Sequence, residues 1–207
     1  MLKQSTFLKL ISLSIILGVV GYLVLVIYLG NLKPGYSHLT DLVSELGEKG
    51  SFRGYWLNAV LMWSGSSLIL FGVLLNRLLP PGRFGKWGPV FISAFGGSVL
   101  AGGLFPCDPG CIAPVSLSGH LHAILGLPAM LTVPLGFILV SFRMKESSHW
   151  HNLALFIRVS GFLTLPLMII GSSVFPALGL MGLGQRIPLL FQLGVPLIMA
   201  VRLYKHP

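Results

Sequence analysis

Six apolar runs, each long enough to cross a bilayer, constrain this chain more than any other feature. They lie at about residues 10–30, 55–75, 87–105, 119–142, 153–175 and 187–203. An α-helix rises about 1.5 Å per residue, so runs of about 20 residues match the roughly 30 Å hydrocarbon layer. Only 9% of the residues are charged, against roughly 25% in soluble domains. A water-facing surface cannot be built from so little charge, and no loop is long enough to bury a core of its own. The expected fold is all-α: a polytopic membrane protein, one transmembrane domain over residues 1–207, with six helices in a bundle.

The first run follows Lys3 and Lys9. A signal peptide also starts basic, but its apolar core is only about 7–15 residues and it ends in a small-residue cleavage site. Neither applies here, so the run reads as an uncleaved first span. The third run is dense in Ser93, Ala94, Gly96, Gly97, Ser98, Ala101, Gly102 and Gly103. Small residues let membrane helices approach closely, which makes this helix central. Pro128 and Pro134 are expected to kink the fourth run, since each removes a backbone donor.

Residues 31–54 form the longest loop. Inside it Leu39, Leu42, Val43 and Leu46 follow i, i+3, i+4, i+7 spacing. With Ser37 as N-cap and Gly47 as stop, this predicts a short helix over Ser37–Leu46, lying on the membrane surface or roofing the bundle.

The loop charges orient the chain. Lys3, Lys9, Arg77, Arg83, Lys86, Arg143, Lys145, Arg158, Arg202 and Lys205 fall at the termini and loops two and four, with one acid, Glu146. Lys33, Lys49, Arg53 and Arg186 fall on the other side, with Asp41, Glu45, Glu48 and Asp108. The positive-inside rule then puts both termini in the cytoplasm of a cell-membrane protein. Bases scattered singly at span ends are topology signals, so the net charge of +9 does not indicate nucleic-acid binding. Membrane lipids are the expected partners, and self-association into a homo-oligomer stays open.

The segment from Leu104 to His122 holds both cysteines, two of six histidines and one of five acids. Cys107 and Cys111 flank Asp-Pro-Gly, a turn signal that can bring their Cα atoms within disulfide range. A disulfide is the favoured reading on an extracytoplasmic face. Free thiols and a zinc site with a nearby histidine remain alternatives, the latter without a recognised spacing. On a helix His120 and His122 point about 200° apart, so only one faces the bundle. His149 and His151 repeat that spacing in a loop on the other face and read as a solvated pair. Asp108 has a local role available, capping the Pro109–Gly110 turn. Glu45 has Arg53 or Arg186 as candidate partners. Asn58, one turn inside the second span, needs a partner because buried polar groups in lipid are costly alone, and His122 or Asp108 is the candidate.

Ser44-Glu45-Leu46-Gly47, Asn58, Gly103-Leu104-Phe105-Pro106-Cys107-Asp108-Pro109-Gly110-Cys111 and Ser118-Gly119-His120-Leu121-His122 together resemble the multi-pass membrane proteins grouped as domain of unknown function 998. The specific part is Phe-Pro-x-Asp-Pro with a later histidine. The resemblance matches that histidine to His122, leaving His120 as a variable neighbour. It implies a fold of about six helices and no particular activity.

The candidate reactive set is therefore Glu45, Asp108 and His122, with Arg53, Asn58, His120 and Arg186 as candidate substrate-binding residues. A carboxylate beside an imidazole suits general acid–base chemistry, or a divalent metal, which the sequence leaves open as a cofactor. The arginines suit a lipid phosphate. No G-x-S-x-G, H-E-x-x-H or Walker loop is present; Ser116 and Ser118 are nucleophile candidates by position only. Three functions compete: an outward-facing enzyme on a lipid or other amphipathic substrate, a non-enzymatic scaffold or binding protein, and a small transporter. The absence of charge at mid-membrane counts against ion coupling in the last. One cavity shared by Glu45, Asp108 and His122 would favour the first.

Overall fold

The computed structural model describes residues 2–126 and 128–207. Residue 127, inside the expected fourth span, lies outside the described residues, as does the side chain of Lys3. Seven α-helices are described: α1 Leu2–Leu32, α2 Gly54–Leu78, α3 Trp87–Leu104, α4 Leu117–Gly126, α5 Ala129–Lys145, α6 His151–Ala177 and α7 Met181–Lys205. Counting α4 and α5 as one crossing, six segments are long and apolar enough to span a membrane. The helices run one to several residues past the apolar runs at most ends. Backbone groups at a span end still need partners, and continuing the helix supplies them.

Six helices close a ring: α1 packs on α2, α2 on α3, α3 on α5, α5 on α6, α6 on α7, and α7 back on α1. α4 lies against α3. Pro128 is the N-cap of α5 and so marks the division of the fourth span, whereas Pro134 sits inside α5 without ending it. A proline is tolerated at a helix start because its missing N–H would have had no partner there.

A close seam of small residues joins α2 and α3. A Cβ on Gly65 would meet the Gly96 carbonyl at 2.6 Å, one on Gly96 the Gly65 carbonyl at 2.8 Å, and one on Gly103 the Met62 side chain at 2.8 Å. Gly65 and Gly72 on α2, and Gly96 and Gly103 on α3, are each one heptad apart, so the small residues repeat along one stripe. Ser93 Oγ donates across it to the Ile69 carbonyl at 3.1 Å.

Side chains fill the ring toward the end that carries both termini. Leu8, Ile15, Phe71, Leu75, Phe137, Val140, Met144, Trp150, Ile157 and Met199 are all buried there. A smaller cluster of Tyr22, Val26, Leu29, Val43, Leu46 and Leu57 lies under the long loop at the opposite, disulfide end.

That loop differs from the expected Ser37–Leu46 helix. Only Val43–Leu46 is helical, as a single 3-10 turn with Gly47 at its C-cap. The reason lies in competing partners. Asp41 Oδ2 accepts the Ser37 N–H at 2.8 Å, and Gln185 Oε1 accepts the Val43 N–H at 2.7 Å. The Leu39 carbonyl accepts the Leu183 N–H at 2.9 Å. Side chains and the start of α7 thus take the backbone groups that a helix would have used.

Candidate functional site

The disulfide end is built around a hairpin between α3 and α4. α3 ends at Leu104, and Asp108-Pro109-Gly110-Cys111 forms a turn closed by the Cys111 N–H on the Asp108 carbonyl at 2.9 Å. Gly110 has φ +78°, the value a type II turn requires after proline. Cys107 and Cys111 are joined by a disulfide, with Cα atoms 5.2 Å apart.

Asp108 does not cap that turn with its side chain. Oδ2 accepts the N–H groups of Val115 and Ser116 at 2.7 and 2.8 Å, and Oδ1 accepts the Ser116 hydroxyl at 2.7 Å. Lys49 Nζ lies 3.5 Å from Oδ1 and also bonds Ser116 Oγ. These donors, the Ser116 hydroxyl first, hold the Asp108 carboxyl well below the usual carboxylate range. Ser116 is the N-cap of α4, its Oγ accepting the Gly119 N–H at 3.1 Å. A Cβ at Gly119 would collide with the Asp108 carboxylate, so the glycine is what lets Asp108 reach the start of α4.

Two further carboxylates brace this cap. Glu48 accepts Lys33 Nζ on Oε1 at 2.9 Å and the Gly110 N–H on Oε2 at 2.6 Å. Glu45 accepts the Leu42 N–H at 2.8 Å and lies 3.6 Å from Lys33. Its ionic partner is thus Lys33, not Arg53 or Arg186. Asn58 donates to the Gly47 carbonyl at 2.9 Å, tying α2 to the loop instead of reaching His122 or Asp108.

His122 Nδ1 bonds the Phe105 carbonyl at 2.8 Å. A carbonyl only accepts, so this nitrogen carries a proton. Asp108 and His122 line one small pocket of about 80 Å³ together with both cysteines. Glu45 is not in its wall. His120 is exposed on the other side of α4. Ser118 donates to the Pro106 carbonyl at 2.7 Å, so neither candidate serine hydroxyl is unengaged. Among the described residues no three His, Cys, Asp or Glu side chains converge as metal ligands would.

The two arginines are apart from this cap. Arg53 donates to Tyr28 Oη at 2.7 Å and stacks on Phe52. Arg186 bonds the Asp41 and Gly182 carbonyls at 2.9 Å each, Tyr36 Oη at 2.5 Å and His38 Nδ1 at 3.1 Å. Burial and the adjacent guanidinium push the His38 pKa down, and accepting from Arg186 fixes the neutral form. Sequence reasoning passed over Lys33, Glu48, Lys49 and Gln185. The signal for the first three was their number: a face with few charges holds four acids against four bases.

A wider opening lies on the other side of the hairpin. A cleft of about 750 Å³ runs between α6 and α7 beneath Cys111 and Ile112, with Ser172, Gln185 and Gln192 as its polar residues. A Cβ on Gly184 would meet the Gly171 carbonyl, so the two helices touch there, in the wall of the cleft. Inside the ring a cavity of about 90 Å³ adjoins Gln192 from behind and is also lined by Ser64, whose Oγ is buried without a partner among the described residues. The opposite end of the molecule corrects one expectation: His149 is partly buried and its Nε2 has no partner among the described residues, so it is not part of a solvated pair.

No curated protein and no solved structure matches the chain. A family model does, from residue 16 to residue 202, a stretch that starts inside α1, ends near the close of α7 and holds the whole cap. The chain therefore belongs to the family described as Protein of unknown function (DUF998).

Proposed function

We propose that this multi-pass membrane protein binds an amphipathic ligand of the lipid class in the cleft between α6 and α7, with the disulfide hairpin as its roof. The observation that carries the reading is the cleft itself. At about 750 Å³ it has the size of a small-molecule site, mostly apolar with a few convergent polar groups. On this reading Glu45, Asp108 and His122 position the roof and do not react. Their engagement with Lys33, Ser116 and the Phe105 carbonyl supports a binding role over catalysis.

The test is native mass spectrometry of the protein purified in mild detergent. A co-purifying lipid is expected on the wild type. It is lost in Ser172→Trp, where an indole replaces an exposed hydroxyl in the wall. A wild type that carries no lipid, or a variant that keeps it, would overturn the proposal.

We take the disulfide end as the extracytoplasmic one, with both termini in the cytoplasm of the cell membrane. Nine basic residues at the terminal end with described side chains, from Lys9 to Lys205, support this orientation. A reporter fused after Pro207 should be active only if it folds in the cytoplasm. The reverse result inverts the topology and removes the oxidising compartment from the disulfide.

A further inference from the structure

We propose that the ligand of the α6–α7 cleft is an uncharged amphiphile whose polar end is a hydroxyl, held by Gln192 near mid-membrane. This rests on the reading of the cleft as a ligand site and adds the chemistry of what fills it.

No charged residue is among the described residues lining the cleft. The nearest in sequence, Arg186, lines a different groove, between α1 and α7. Its guanidinium is engaged by Asp41, Gly182, Tyr36 and His38. An anionic headgroup drawn into the cleft would lose its hydration with no counter-charge to meet it, which lipid-embedded sites do not tolerate.

Gln192 supplies what a neutral ligand needs. It is 6% exposed, yet its amide makes one hydrogen bond among the described residues, from Nε2 to Met168 Sδ at 3.3 Å. A thioether is a weak acceptor, and a primary amide has two donors and two acceptor sites. A buried amide so poorly satisfied calls for a further polar partner. Gln192 lies eleven residues beyond Met181 in α7, so it is about 16 Å down the helix.

The wall is short of donors as well. Pro176 and Pro188 both line it and have no N–H to give the carbonyls of Ser172 and Gly184 one turn earlier, also in the wall. A hydroxyl both donates and accepts. It can accept from the Gln192 amide nitrogen and give its one proton to a nearby acceptor, where an ether or ketone can only accept. The apolar body then occupies the rest of the cleft toward Ile112 and the bilayer.

Three photoactivatable probes built on one long chain test this: a fatty alcohol, its methyl ether and its phosphate monoester. Each is offered to the full-length protein in phosphatidylcholine vesicles, and labelled peptides are read by mass spectrometry. The alcohol is expected to label α6 and α7 peptides about tenfold more than the phosphate, with the ether between them. Gln192→Leu is expected to lower alcohol labelling about tenfold and ether labelling less. Equal labelling by phosphate and alcohol, or alcohol labelling indifferent to Gln192→Leu, would overturn the inference while leaving the cleft a ligand site. No labelling of the cleft by any probe overturns both. If Gln192→Leu does not fold, the ranking of the three probes on the wild type decides alone.

Discussion

Between Leu8 and Trp150, at the end that carries both termini, side chains fill the helix ring; between Tyr22 and the disulfide, clefts of about 750, 440 and 270 Å³ lie between its elements. The two ends are also closed differently. At the terminal end one guanidinium does much of the work. Arg143 is 4% exposed and gives five hydrogen bonds of 2.8–3.1 Å, to the carbonyls of Asn76, Leu79, Pro80 and Gly85 and to Asn76 Oδ1. It thereby caps the last turn of α2, where carbonyls lack intrahelical donors and a positive charge is favoured. At the disulfide end the roof is a loop and a hairpin stitched by three ion pairs, side-chain-to-backbone bonds and one disulfide. The contrast has a physical basis. Apolar side chains gain little from leaving lipid for a helix seam, so close packing supplies stability where it is dense. Where space is kept open, polar bonds and a covalent link must hold the structure.

If the filled end carries the stability, its key residue should be the most sensitive. Arg143→Ala strands five acceptors and should lower unfolding free energy by about 3 kcal/mol or more. Thermal unfolding in detergent would show this, with a loss unaffected by added salt. A loss no larger than that at the other end would break the comparison. Next in size is the disulfide. Replacing both Cys107 and Cys111 by serine opens a short loop, for which chain entropy gives about 2 kcal/mol. Loss of the cleft's ligand should accompany it, if the hairpin is the roof. Glu48→Gln removes the charge from the Lys33 pair and should cost about 1 kcal/mol, an amount that shrinks as salt rises. Salt dependence at the disulfide end and none at Arg143 would sharpen the difference.

The smallest effect is with pH, and its carboxylate part belongs to the disulfide end. His38 has a lowered pKa in the fold, so the unfolded chain takes its proton first. Its contribution is complete above about pH 6.5 and declines as the pH falls through the folded value. Asp108 and Asp41 are likewise lowered. Their contribution holds down to about pH 4 and is lost below it. Hydrogen exchange at the long loop should rise in those two steps, while the terminal end, where burial and Arg202 also lower the His149 pKa, should show only the first. A carboxylate step shared by both ends would show that they do not unfold separately.

The small-residue stripe on α3 reads directly as a close seam, because glycine spacing is a property of the helix period alone. Cys107, Asp-Pro-Gly and Cys111 likewise read as a closed turn, because all the atoms involved are local. Glu45 and Asn58 read as polar residues needing partners, but their partners were misread. The sequence offers other side chains as candidates, whereas Asn58 and much of Glu45's bonding end on backbone groups. Arg143 shows the same blindness more strongly: read as one more topology charge, it is anchored wholly by carbonyls and one amide. Every residue has a carbonyl, so nothing in a sequence marks which ones will be left open.

Hydropathy and charge spacing alone therefore determined that the chain crosses a membrane six times as helices, since the bilayer imposes both length and backbone satisfaction on any span. Which side chains meet, and that a cleft remains between α6 and α7, was decided only by tertiary packing. Helix rotation and the points where Gly171 and Gly184 touch set those distances, and both depend on neighbours far away in the chain.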